Sequence, residues 1–316
     1  MQSKKILVLG TGGTIAGVAI DPSSNIDYSA ACLEISQLVG GIAELRDVVT
    51  EQVTQIDSKD MSFEVWTKLA NRVQHHLSQS DMQGMVITHG TDTLEETAYF
   101  LQVALNPAKP VVLTCAMRPA SAPAPDGPQN LFDAVTVARH AAGRGVVLVC
   151  AGDIHSALDV QKVHTYRVNA FSSGDSGLLG IINKNIVKII KKWPFNQQIS
   201  AQTATKNIAI LNTVCSWPKV EIIMNYAGAD GTLVDALLTL GVRGLVVAGT
   251  GNGSVHQLLE AALMKAAAQG IQITRSTRCT DGRVFPRMDD RFPTSNGLSP
   301  VKARIDMMLR MMGLVL

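Results

Sequence analysis

Apolar or alternating runs of four to nine residues alternate with stretches of helical apolar spacing along most of this chain. Ile6–Leu9, Val48–Ile56, Met85–Thr88, Val111–Cys115 and Val146–Val149 read as strands, the shorter ones fully apolar as in a buried sheet. Between them, Phe63, Trp66, Leu69, Val73 and Leu77 fall on one face of a helix spanning 62–77; Leu94, Ala98, Leu101 and Leu105 form a second such face, and Leu131, Val135 and Ala138 a third. Strands alternating with helices predict an α/β fold with a mainly parallel sheet flanked by helices. The C-terminal ends of such strands share one edge, where ligands bind. Four of these ends are polar or glycine-rich: Gly10–Thr14, Asp57–Asp60, Thr88–Asp92 and Ala116–Pro119.

The rhythm changes after Gly152. Asp159–Tyr166 alternates as in a strand or hairpin, and a Pro-, Gln- and Thr-rich segment follows, read as a linker over 191–218. Strands Val220–Met224, Leu245–Ala248 and Ile271–Thr274, helices Leu233–Leu240 and Val255–Ala268, and a last helix from Ser299-Pro300 to Met312 predict a smaller C-terminal α/β domain. The expected organisation is therefore 1–190, a linker, and 219–316.

Composition narrows the chemistry. Of 316 residues, 46% are hydrophobic and 17% charged, and the formal net charge is +2, which describes a globular chain without an electrostatic case for nucleic acid or a membrane. The apolar run after Lys4 and Lys5 stops at Gly10, too short for a signal-peptide core, so cytoplasmic residence is expected. Cys32, Cys115, Cys150, Cys215 and Cys279 are widely spaced, fitting reduced thiols; no metal or cofactor is expected. Gly10-Thr11-Gly12-Gly13 suggests a nucleotide loop, but Ile15 stands where a dinucleotide fingerprint needs glycine, and no Gly-Lys-Ser/Thr follows.

What remains is hydroxyl chemistry. Thr11 and Thr14 lie among glycines, Thr91 and Asp92 at a strand-to-helix switch, where both are also ordinary helix caps. The polar stretch Val18–Ser29, with Tyr28 near its end, reads as a lid or as a surface loop anchored by its tyrosine. A threonine hydroxyl needs a base to become a nucleophile. By spacing alone Lys162 is an ordinary solvated lysine; folded back to Thr91 it could serve as a base when its pKa is lowered, whereas Asp92 favours its charged form, which leaves the direction of proton flow open.

The runs TGGTIAG (Thr11–Gly17), DSKDM (Asp57–Met61), THGTDTLEETAYFL (Thr88–Leu101), AMRP with DGPQNL (Ala116–Leu131) and DVQK (Asp159–Lys162) resemble the bacterial L-asparaginase family, including its glutaminase-asparaginases. The resemblance implies hydrolysis of L-asparagine to L-aspartate and ammonia through a threonine acyl-enzyme, with glutamine as a side substrate. By matching motif it implies Thr14 as nucleophile assisted by Tyr28, and a Thr91–Asp92–Lys162 group that activates water or, in a competing account, supplies the primary nucleophile. It further implies that Ser58 holds the substrate's α-carboxylate, Asp92 its α-ammonium, and the Thr91 N–H with Ala116 the oxyanion. A homotetramer built of close dimers is the implied assembly.

Three departures stand out. Lys59 replaces the usual glutamine, bringing a positive charge beside the substrate's carboxylate end; Gly282–Phe292 holds no glutamate to lend to a neighbouring subunit, only Asp289 and Asp290; and Ser254 follows Gly251-Asn252-Gly253, as in enzymes that tolerate glutamine. The first two motivate an alternative reading, a non-catalytic amino-acid sensor on the same scaffold.

Overall fold

The computed structural model describes residues 4–20 and 28–316. Most of the expected lid therefore lies outside the described residues. By internal contacts the chain divides into two compact units, 1–212 and 213–316.

In the first unit β1 (Lys5–Gly12) is followed by a two-residue ladder of β2 (Val18–Ala19) with β3 (Tyr28–Ser29) and by the short helix α1 (Ile35–Gly40). Strands and helices then alternate: β4 (Val49–Ile56), α2 (Phe63–Leu77), β5 (Met82–Thr88), α3 (Leu94–Leu105), β6 (Pro110–Thr114), α4 (Gly127–Ala138) and β7 (Gly145–Cys150). The unit continues through β8 (Asp153–Ser156), the short pair β9 (Gln161–Lys162) and β10 (Phe171–Ser172), the hairpin β11 (Gly180–Asn183) and β12 (Ile186–Ile189), and α5 (Ala201–Thr213). Its eight-stranded sheet has the order β12-β11-β8-β7-β6-β5-β1-β4; β4 to β7 and β1 pair in parallel, and β8, β11 and β12 add an antiparallel flank.

This is the expected α/β architecture, and its cause is visible in β1. Ile6 and Val8 pack with Val86, Val112 and Val147 of neighbouring strands, with Ile35 and Val39 of α1 and with Leu131 and Val135 of α4. Alternation sends Leu7 and Leu9 to the opposite face, where they too are buried, so both faces are covered and the strand must be apolar throughout. Trp66 stacks on Phe100 with ring centroids 5.0 Å apart, joining α2 to α3.

Three local readings are corrected. The strand does not stop at Leu9: it continues to Gly12, held between β4 and β5, with a register shift between Gly10 and Gly12 that absorbs the glycines. Asp159–Tyr166 is extended only at Gln161–Lys162, because the His164 ring accepts the N–H groups of Tyr166 and Arg167 at 2.9 and 3.0 Å and turns the chain. Residues 191–218 also carry more structure than their composition suggests. Gln102 donates to Pro194 O and Asn106 exchanges two hydrogen bonds with Asn196, pinning this stretch on α3. Helix α5 then buries Ala204, Asn207 and Leu211, and Asn207 Nδ2 donates 3.0 Å to Ala104 O.

The second unit comprises β13 (Val220–Met224), α6 (Thr232–Thr239), β14 (Gly244–Gly249), α7 (Gln257–Ala268), β15 (Gln272–Thr277) and α8 (Pro300–Met311). Its three strands are parallel in the order β13-β14-β15, around a core of Ile223, Val234, Leu245, Val247, Leu263 and Ile273.

One surface cluster on the edge strand sets an acid limit. Arg72 forks onto Glu51 with bonds of 2.6 and 2.7 Å, and His76 Nε2 lies 2.8 Å from Glu51 Oε2. The Arg72 hydrogen bonds hold the Glu51 carboxyl below its ordinary value. A carboxylate lowered in the folded state stabilises the fold above its unfolded pKa and ceases to do so as pH falls through its folded one. Glu51→Gln should therefore lower Tm near neutral pH, with the gap to the native protein closing below about pH 4 in a series of thermal melts.

Candidate active site

Three of the four polar turns meet on the parallel edge, the two glycine turns backbone to backbone and the third through Ser58. Gly13 has φ +81°, and a Cβ added there would lie 2.3 Å from Cα and N of Gly90. A Cβ on Gly90 would in turn lie 2.4 Å from Ser58 Oγ. Only glycine permits this approach. Polar side chains fasten the join: Thr11 Oγ1 donates to Thr88 O at 2.8 Å, the Asp92 N–H donates to Ser58 Oγ at 3.2 Å, and Thr93 Oγ1 donates to Ser58 O at 2.7 Å.

Two threonine hydroxyls stand at this junction in different company. Thr14 opens a single helical turn, Thr14–Ala16, and its Oγ1 lies 2.8 Å from Tyr28 Oη. Thr91, at the next turn, accepts a 2.8 Å hydrogen bond from Lys162 Nζ, which also donates to Asp92 Oδ1 at 2.7 Å. Both threonines are 6% exposed. The Lys162 side chain is 20% exposed, not the solvated lysine its spacing suggests, and Glu95 Oε2 fixes its backbone by accepting the Lys162 N–H at 2.8 Å.

Three positioning residues escaped the sequence reading. Buried His89 lies between Thr97 and Gly90 O. Gly90 O can only accept, so on the neutral ring the proton sits on Nδ1 and Nε2 accepts from Thr97 Oγ1 at 2.9 Å, while Thr97 Oγ1 itself accepts from the Trp66 indole Nε1 at 2.9 Å. The His89 Nδ1–H donates to Gly90 O at 2.7 Å. Burial lowers its pKa to about 4, so a neutral ring holds the Gly90–Thr91 turn. On the far side Asp126 accepts the N–H groups of Met117 and Arg118 at 3.0 and 2.9 Å, and Asn130 Nδ2 donates to Cys115 O at 2.9 Å. Together they hold the turn that carries buried Ala116. The run DGPQNL was the signal available; what it grips became visible only in three dimensions.

Comparison with known proteins matches residues 5–195 to the family described as Asparaginase, N-terminal, and residues 219–312 to the Glutaminase/Asparaginase C-terminal domain. The chain is 36% identical over 312 residues to L-asparaginase 2 of Bacillus subtilis, covering 96% of this chain and 81% of that protein. The chain belongs to the asparaginase family. A probable periplasmic L-asparaginase of Haemophilus influenzae is 39% identical over 310 residues, covering 95% of this chain and 86% of that one. The crystal structure of a probable cytoplasmic L-asparaginase from Campylobacter jejuni superposes with a TM-score of 0.87 at 37% identity, covering 98% of this chain and 95% of that one.

Against this asparaginase frame the three departures take definite form. Lys59 does not project a bare charge: its Nζ sits 2.5 Å from Asp57 Oδ2 and 3.6 Å from Asp60 Oδ2, and the Asp57 hydrogen bond raises its pKa. In the second unit Asp290 is engaged by Arg275, and its Oδ2 accepts the Arg287 N–H at 2.7 Å, which with the neighbouring arginines holds the carboxyl below its usual range. Asp289 is exposed. Ser254 is also exposed, on a turn closed by reciprocal backbone bonds with Thr250 of 3.0 and 2.8 Å. Among the described residues no group of three or more His, Cys, Asp or Glu side chains is placed to hold a metal.

Proposed function

We propose that this asparaginase-family chain hydrolyses L-asparagine to L-aspartate and ammonia, and L-glutamine more slowly, through an acyl-enzyme on Thr14. The observation that carries this reading is the pair of buried threonine hydroxyls at fused turns, one bonded to a phenol and the other to a lysine–aspartate pair. Naming of the relatives as L-asparaginases supports the substrate class.

The two hydroxyls divide the work by their partners. Lys162 Nζ donates to Thr91, so that oxygen is electron-poor and suited to orienting or polarising. Among the described residues the Thr14 hydroxyl meets the Tyr28 phenol, and attack by Thr14 is balanced by a relay. Thr14 Oγ1 bonds to the amide carbon, its proton passes to Tyr28 Oη, and Tyr28 gives its own proton to the departing nitrogen, which leaves as ammonia. In deacylation water takes ammonia's place and the same relay runs in reverse, returning the proton to Thr14. The Thr91 N–H, together with Ala116, stabilises the negative charge that develops on the carbonyl oxygen in both steps, and Lys162 Nζ adds to that field. Ser58 receives the α-carboxylate and Asp92, with half its carboxylate exposed, the α-ammonium. Lys59 adjusts the carboxylate end, and Ser254 contributes to substrate selection.

The family's tetramer and a cytoplasmic site of action complete the proposal, the latter supported by the designation of the Campylobacter protein. Removing the Thr14 hydroxyl tests the chemistry. Thr14→Ala should lower ammonia release from both amides by about a thousand-fold or more while leaving L-aspartate binding measurable by calorimetry. Activity within ten-fold of the native protein would remove Thr14 from the role.

A further inference from the structure

The Gly251–Ser254 turn and the 284–292 strap of the second unit are separate in sequence, yet they are tied together twice. Asn252 supplies the first tie: its Nδ2 donates to Phe285 O at 3.0 Å and its Oδ1 accepts the Phe285 N–H at 2.7 Å, a side chain acting as a strand partner. Arg275 supplies the second. This arginine, 8% exposed on β15, donates from Nη1 to Gly253 O at 3.1 Å and from Nε to Phe292 O at 3.2 Å, and pairs with the Asp290 carboxylate. Thr277, two residues along β15, donates to Gly251 O at 2.7 Å.

Burying a guanidinium is expensive unless every face of it is met, and a planar fork meets several acceptors at once where an ammonium cannot. Here the acceptors belong to both segments: Gly253 on the turn, Phe292 and Asp290 on the strap. We infer that Arg275 is a positioning residue for substrate selection, locking the Ser254 turn to the 284–292 strap so that Ser254 is presented in one fixed place. The inference rests on the reading of Ser254 as a substrate contact. It also gives Asp290 a use other than reaching a neighbouring site, since its carboxylate is the counter-charge of the lock. Selection between amides differing by one methylene depends on such rigidity, because a loose wall accommodates the longer side chain.

The test uses the full-length protein and three variants: Arg275→Met combined with Asp290→Asn, which removes both charges so that neither is left buried alone; Asn252→Ala, which cuts the other tie without touching a charge; and Ser254→Ala. Amide hydrogen exchange at Ser254 and Phe285 reads the lock directly, and steady-state kinetics on L-asparagine and L-glutamine read its consequence. In the first two variants exchange should quicken at both segments together, KM for asparagine should rise by about ten-fold with kcat changed less than two-fold, and the asparagine-to-glutamine preference should fall by at least about three-fold. Should the charge-free double variant fail to fold, Arg275→Lys, which keeps the charge opposite Asp290 but loses the planar fork, takes its place in the same comparison. Unchanged exchange in both segments overturns the lock. Quickened exchange with unmoved KM and preference, in a protein where Ser254→Ala alters both, overturns its role in selection. A silent Ser254→Ala overturns the reading of Ser254 itself and the selection role with it, while the exchange result still decides whether the lock exists.

Discussion

Lys162→Met should reduce ammonia release from L-asparagine by about a thousand-fold, the scale on which enzymes lose rate when a group aimed at developing charge is removed. Methionine keeps most of the aliphatic stem and deletes the Nζ that donates to both Thr91 and Asp92. The fold has little reason to suffer, because the Asp92 side chain is 52% exposed and water can take the lysine's place. Loss of rate with an unchanged Tm is thus the expected pair of results, read by steady-state kinetics beside a thermal melt. Because Asp92 is also proposed to receive the substrate's ammonium, and loses its competitor in this variant, KM should move far less than kcat. A variant that keeps more than a tenth of the native kcat would mean that the Lys162–Thr91 contact is structural only.

The second large effect is on stability. Gly13→Ala places a methyl group 2.3 Å from two backbone atoms of Gly90 and imposes φ +81° on a residue that resists it. Neither partner can yield: Gly90 is itself pressed on Ser58, and the turn is held from behind by His89. A loss of about 4 kcal/mol or more in denaturant unfolding is expected, in the range reserved for specific steric failure. Gly40→Ala is the contrast within the same unit. Gly40 closes α1, has nothing within 4 Å of an added Cβ, and should gain up to about 1 kcal/mol from the lower backbone entropy of alanine. Equal tolerance of both substitutions would show that the turns are not fused as described.

The contrast between those two glycines also marks how far the sequence could be read. Secondary structure followed from pattern wherever burial matched pattern: β13 runs Val220–Met224 and α2 runs Phe63–Leu77, each within a residue of its periodic signal. Helix α5 was hidden because the middle of its buried face is Asn207, a polar residue whose amide is satisfied by Ala104 O, so no apolar stripe advertises it. The four polar strand ends were legible as a shared edge, since a parallel sheet leaves them nowhere else to go. Contacts across the fold were not legible from spacing. Lys162 is 71 residues from Thr91, and only the motif resemblance brought the two together before the folded chain did. The roles of Asp126 and Asn130 depend on backbone groups of residues 115 to 118, which carry no signature in a side-chain sequence. The same holds for His89, whose neutral form and tautomer follow from its burial and from the backbone carbonyl of Gly90.

The central claim is a covalent intermediate on Thr14, and acid quenching in the first turnovers tests it most directly. Native protein mixed with excess L-asparagine, stopped in acid and digested, should yield the Thr11–Gly17 segment heavier by one aspartyl group, with the label absent in Thr14→Ala. The label on the segment containing Thr91, or retained in Thr14→Ala, would contradict the account and move the nucleophile to the Lys162 side of the site.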